Sequence, residues 1–151
     1  MAALLHFEDF HEGQVIRLDE RRITAEEIIA FAREFDPQPF HLDEAAAKAS
    51  VLGGLCASGW HSSALLVRMI CESYLLGTAA MGSNGMDEVK WLKPVYAGEM
   101  LTGEGRVLSA RRSKSRPEIG ILKMLWRMTN VAGETKIEAT GVAFIRTRTP
   151  C

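Results

Sequence analysis

Apolar residues recur with a helical period over much of the chain up to residue 76, and from residue 86 onward they alternate with polar ones. A short strand candidate, Gln14-Val15-Ile16-Arg17-Leu18, comes first. Thr24-Ala25-Glu26-Glu27 then matches a capping box, in which the threonine hydroxyl and the glutamate three positions on satisfy free N–H groups at a helix start. Ile28, Ile29, Phe31, Ala32 and Phe35 follow at helical spacing, which predicts a helix over residues 25–35, and Pro37 ends it by biasing Asp36 away from helical backbone. Asp43 is placed to cap a short alanine-rich helix over residues 44–49, and Gly53-Gly54 breaks it off. Residues 60–76 are apolar on nearly every face, which predicts a long helix buried all round; Gly77 closes it and residues 82–85 read as a turn.

Four strand-like runs follow, over residues 86–92, 100–109, 119–129 and 135–147, with breaks at Pro94, Gly98, Pro117 and Ala132-Gly133-Glu134. The alternation is sharpest where Leu122, Met124, Trp126 and Met128 interleave with Lys123, Arg127 and Thr129. A curved antiparallel sheet wrapped around the long helix satisfies this order, because only enclosure buries a helix that is apolar on all sides. The expected class is α+β, in one domain spanning residues 1–151, since neither a repeat nor a linker interrupts the chain.

At 151 residues and 47% hydrophobic content the chain can bury a substantial core. Its net charge of −1 offers nothing to attract a nucleic acid or a membrane surface, so neither is expected as a partner. No run approaches the length of a membrane-spanning helix, and the first ten residues lack the basic region of an export signal. Cys56, Cys71 and Cys151 are odd in number and show no paired spacing, which fits a reducing cytoplasm. Metal-ligand spacings, phosphate-binding glycine loops and a G-x-S-x-G elbow are missing from the sequence, so metal, kinase and redox chemistries are disfavoured and no cofactor is expected.

Three groups of residues offer chemistry. Asp36 and His41 place a carboxylate and an imidazole five positions apart, in a segment that Pro37 and Pro39 keep out of an ordinary helix. The plain reading is a turn cap and a hydrogen-bonded histidine; the functional one is an acid/base pair held rigidly enough to move a proton near neutral pH. Ser58 and Gly59 stand at the mouth of the long helix, as a cap and a packing glycine, or as the place where a free Gly59 N–H holds a carbonyl oxygen that gains negative charge. His61, in the first helical turn, reads as structural. Arg111, Arg112, Lys114 and Arg116 form either a solvated hairpin tip or a clamp for the phosphates of coenzyme A. The methionines and the three tryptophans read as core. Asp36 and His41, combined with the glycine N–H, suit the addition of water to an acyl thioester, or its removal.

The stretches Phe7-Glu8-Asp9-Phe10, Asp36 through His41, Gly53 through His61 and Asp87 through Val95 together resemble the MaoC-like dehydratases, a family that includes the (R)-specific enoyl-CoA hydratases and has the hot-dog fold. The hydratase signature D-x-N-P-hydrophobic-H is matched at Asp36, Pro39, Phe40 and His41. The resemblance implies that Asp36 and His41 are the catalytic dyad, that Gly59 supplies the N–H for the thioester oxygen, and that the substrate is a trans-2-enoyl-CoA hydrated to a 3-hydroxyacyl-CoA of (R) configuration. It further implies a homodimer, paired edge to edge and open to further assembly, with coenzyme A present only as part of the substrate. Two positions depart from the pattern: Gln38 replaces the usual asparagine, and Val67 occupies a helix position that carries serine in some members. A hot-dog acyl-CoA thioesterase and a non-catalytic acyl-CoA-binding subunit are the alternatives.

Overall fold

The computed structural model describes residues 2–149; Cys151 lies outside them. Five strands form one antiparallel sheet in the order β1-β3-β4-β5-β2, with β1 at Val15–Arg22, β2 at Met86–Trp91, β3 at Met100–Arg112, β4 at Ile119–Asn130 and β5 at Thr135–Arg146. The helices are α1 (Ala25–Phe35), α2 (Pro39–Leu42), α3 (Glu44–Ala49) and α4 (Gly59–Ser73). This is the hot-dog arrangement, α+β as the period change implies.

The central strand β4 explains the sheet's two faces. Leu122, Met124, Trp126 and Met128 are buried, while Lys123 faces out and Arg127 pairs across the ladder with Glu138 at 2.9 Å. Leu65, Leu66, Met69 and Ile70 of α4 meet the apolar face, in one core with Leu101, Val107, Ile137 and Ile145. Irregularities in the β1–β3 ladder, between Leu18 and Arg21, and in the β3–β4 ladder, between Val107 and Ser109, bend the sheet around the helix.

The enclosure of α4 is one-sided, contrary to the expectation of a helix buried all round. Val67 is 55% exposed and Trp60 65%, because β2 is the last strand of the sheet and none of the described residues covers the helix beyond it. All six β2 residues are exposed. The helix also ends three residues early, at Ser73, whose hydroxyl accepts the Asp19 N–H of β1 at 2.8 Å. β1 runs four residues past its predicted end, where β3 pairs with residues too charged to read as strand.

Candidate active site

Asp36 reaches the site because α1 stops where it does. The capping box forms as read, with Thr24 Oγ1 accepting the Glu27 N–H and Glu27 accepting the Thr24 N–H. After the eleven residues of α1, Asp36 caps the helix in non-helical backbone, its N–H on the Ala32 carbonyl at 2.9 Å. Pro37 ends the helix as expected, the Gln38 N–H folding back across it onto the Asp36 carbonyl at 2.8 Å, but Pro39 begins the single turn of α2, which corrects the idea that both prolines exclude a helix. The first position of a helix needs no N–H and suits a fixed proline φ. That turn carries His41 inward, where only 6% of it is exposed.

His41 Nδ1 lies 2.7 Å from the Cys56 carbonyl oxygen. A carbonyl only accepts, so Nδ1 carries the proton and Nε2 is left as the atom facing Asp36 Oδ2, 3.6 Å away. The Phe40 ring meets the imidazole edge-on at 4.7 Å. Asp36 Oδ1 accepts the Gln38 side-chain N–H at 2.7 Å. The Ser58 hydroxyl beside it, opposed by partial burial and joined by the Gln38 amide and by His41, holds the Asp36 carboxyl below the usual carboxylate range. Ser58 Oγ is itself buried and has no partner in regular hydrogen-bond geometry, so it acts on Asp36 as a neighbouring dipole rather than through a formed bond.

These residues line a cleft of about 570 Å³ together with Gly59. Gly59 is the first residue of α4, so its N–H has no intrahelical partner, and the Ser58 side chain does not cap the helix. Glycine is required there by packing as well. A Cβ would overlap Cδ2 of Trp91, whose indole rests against this turn. Trp60 and Trp91 thus line the cleft, in edge contact at 5.0 Å, while only Trp126 belongs to the core as expected of all three. Their strand and helix periods gave no sign of this, because the feature that exposes them is the unpaired edge of the sheet. The Cys56 carbonyl, a backbone group, likewise leaves no mark in a sequence.

Other candidates lie elsewhere. His61 is not among the cleft residues; its ring stacks on Phe31 at 4.6 Å, and burial pushes its pKa down. Val67 lines a separate apolar cavity, so its departure from serine does not touch the surroundings of Asp36 and His41. The fold does not bring Arg111, Arg112, Lys114 or Arg116 to the cleft of its own chain. Arg112 opposes Gly120 at one end of the sheet, whereas the cleft residue Ile137 lies eight positions along β5 from Ile145, which opposes Gly120 on the other side: about 26 Å of strand. Arg112 there holds Glu8 at 2.8 Å and Arg116 holds Glu118 at 2.8 Å. Lys93 is the one cationic side chain among the described residues that lines the cleft. No three His, Cys, Asp or Glu side chains among the described residues gather as metal ligands, and no helix among them is long and apolar enough to cross a membrane.

Fold and site together define a hot-dog protein with a carboxylate and an imidazole opposite a helix N-terminus. The sequence profile of the MaoC like domain matches residues 7–121. The chain belongs to the MaoC-like dehydratase family. It is 39% identical to a MaoC-like dehydratase from Rhodospirillum rubrum, whose crystal structure superposes with a TM-score of 0.89 over 96% of this chain and 99% of that one. An uncharacterized protein of Bacillus subtilis (strain 168), YdeM, is 31% identical over 121 residues, covering 80% of this chain and 84% of the relative. The unliganded (R)-hydratase PhaJ1 from Pseudomonas aeruginosa shares the fold at 22% identity, with a TM-score of 0.74 over 96% of this chain and 88% of that one.

Proposed function

We propose that the protein reversibly adds water to a trans-2-enoyl-CoA, giving a 3-hydroxyacyl-CoA. The observation that carries the reading is the pair of acceptors facing each other across 3.6 Å, Asp36 Oδ2 and His41 Nε2. With Nδ1–H given to the Cys56 carbonyl, the neutral imidazole offers Nε2 as an acceptor beside Asp36 Oδ2, so a molecule with two protons to give, a water, can bridge the two from the cleft side. Its oxygen attacks the β-carbon, one proton passes to the dyad, and a proton is delivered to the α-carbon. The sum is addition of H and OH across the double bond. Proton uptake at Nε2 makes an imidazolium whose charge lies beside Asp36, kept anionic by its surroundings, and whose ring is still fixed by the Cys56 carbonyl. As negative charge moves to the thioester oxygen, the Gly59 N–H and the positive end of the α4 dipole stabilise it.

Gln38 does not weaken this reading, since its amide still reaches Asp36 at 2.7 Å as an orienting donor. A thioesterase is less well supported: Glu72, the carboxylate of α4, is engaged by Arg68 and by Arg21 rather than placed at the cleft. A homodimer built through β2 is favoured by the exposed edge, which presents Met86, Val89 and Trp91 together with unpaired backbone groups. Within one chain the Arg111–Arg116 cluster serves the hairpin, so a role on coenzyme A phosphates would fall on a substrate held by another subunit. A reducing cytoplasm suits the free thiols of Cys56 and Cys71.

The test is hydration of crotonyl-CoA, followed by loss of the conjugated enoyl absorbance. Asp36→Asn and His41→Ala should each remain folded and lose at least about 10²-fold in kcat/KM, the usual worth of a positioned acid/base group. Near-normal rates in either folded variant would exclude the dyad.

A further inference from the structure

A second cavity, of about 270 Å³, lies between α4 and the sheet, and its walls are nearly all apolar, among them Leu66, Val67, Ile70, Val89, Trp126 and Phe144. The cleft and this cavity share one residue, Ile137. Trp91 stands directly opposite Ile137 in the β2–β5 ladder, so the two side chains leave the same face of the sheet, toward α4. The helix closes the gap from its side. The Trp91 indole rests on Gly59, its Nε1–H donates to Ser63 Oγ at 2.9 Å, and Ser63 Oγ donates to the Gly59 carbonyl at 3.0 Å. Trp91 lines the catalytic cleft and Ser63 lines the apolar cavity, which makes the hydrogen-bonded pair, with Ile137, the partition between them.

A thioester whose carbonyl oxygen sits at Gly59 and whose β-carbon sits at Asp36 and His41 must send the rest of its acyl chain onward. Beyond the partition the lining suits alkyl and little else. Building on the hydratase reading, we propose that Trp91 is the specificity gate of this site. With its bond to Ser63 in place the cleft takes short acyl groups; with the indole withdrawn the two cavities join and the tail of a longer acyl chain enters. Wild-type protein therefore favours crotonyl over dodecenoyl thioesters, and Trp91 sets that limit.

The experiment is the ratio of kcat/KM for trans-2-dodecenoyl-CoA to that for crotonyl-CoA, in wild type, Trp91→Leu, Trp91→Phe and Ser63→Ala. Each methylene newly buried is worth about fourfold. The ratio should therefore rise at least about tenfold in Trp91→Leu. Trp91→Phe, which loses the Nε1–Ser63 bond and part of the ring, and Ser63→Ala, which loses that bond and the one to the Gly59 carbonyl, should show a smaller rise in the same direction. If Trp91→Leu does not fold, Ser63→Ala carries the test. An unchanged ratio in the folded variants, or a wild type that already handles both substrates equally, overturns the gate. Failure of the hydratase reading looks different: wild type then turns over neither substrate. In that case the affinities of dodecanoyl-CoA and butyryl-CoA, which need no turnover, must still shift in the long-chain direction in Trp91→Leu, or the gate falls as well.

Discussion

Replacing Gly59 with alanine tests whether the first turn of α4 is locked between the cleft and Trp91. A Cβ at this position would overlap Cδ2 of the indole and lie 2.5 and 2.6 Å from Cε3 and Cε2, where ordinary carbon contacts are about 3.5–4.0 Å. Either the ring or the helix must retreat by about 1 Å. A retreat of the ring costs its bond to Ser63 at 2.9 Å and its edge contact with Trp60 at 5.0 Å between ring centroids. Overpacking of this kind costs about 1–3 kcal/mol, offset in part by the gain of up to about 1 kcal/mol when alanine replaces glycine in a helix. A net loss of about 1–2 kcal/mol follows, or roughly 2–8 °C in Tm for a domain of this size. Thermal unfolding by circular dichroism measures it, and a double-mutant cycle with Trp91→Leu assigns it. In the Trp91→Leu background the Gly59→Ala cost should shrink by about 1 kcal/mol or more, because the obstacle is gone. Full additivity of the two substitutions would refute the locked turn, as would a Gly59→Ala protein as stable as wild type.

Further outcomes follow from the charged groups. Asp36 is depressed in the folded protein, so its ionisation favours folding at and above the ordinary aspartate value of about 3.9, and that contribution disappears as pH falls through the lower native value; Asp36→Asn should therefore flatten the acid limb of the stability curve, measured by urea unfolding across that range, and an unchanged limb would count against it. Lys136 is 2% exposed, and its Nζ meets Glu99 at 3.1 Å and the Pro94 carbonyl at 2.9 Å. Burial opposes ionisation of Glu99, but the Asn130 amide, the Tyr96 N–H and Lys136 together hold its pKa below the usual value. Lys136→Met strips that carboxylate of its cation and should cost about 3 kcal/mol, with Glu99→Gln added to it recovering part of the loss in chemical denaturation; a Lys136→Met protein of wild-type stability would contradict this.

What could be read from the sequence was local. The Thr24 and Glu27 capping box, the stop at Pro37 and the cap at Asp43 are decided by neighbours in the chain, and each forms where it was expected, Asp43 accepting the Ala46 N–H at 2.7 Å. The alternation of β4 likewise survives folding, because both edges of this central strand are paired and one of its faces meets the core. What escaped is non-local. The apolar residues of α4 gave no hint that one side would stay open, since that depends on β2 being the last strand of the sheet. Asp36, Gln38 and His41 share one short segment and could be paired from spacing and resemblance, whereas Trp91, Ile137 and the Cys56 carbonyl join them only through tertiary contacts. The Arg111–Arg116 cluster shows the opposite case: four cations close in sequence lie at the far end of the sheet from the cleft of their own chain, tied in part to Glu8 and Glu118.

On the proposed mechanism, water held by Asp36 and His41 adds across a double bond while the thioester stays intact. Proton NMR of crotonyl-CoA incubated with the protein in deuterium oxide tests both halves of that statement at once. The expected product is 3-hydroxybutyryl-CoA carrying deuterium at the α-carbon, with no free coenzyme A and with the signal absent for Asp36→Asn. Release of coenzyme A with the double bond still in place, or an unchanged spectrum alongside demonstrable crotonyl-CoA binding, would contradict it.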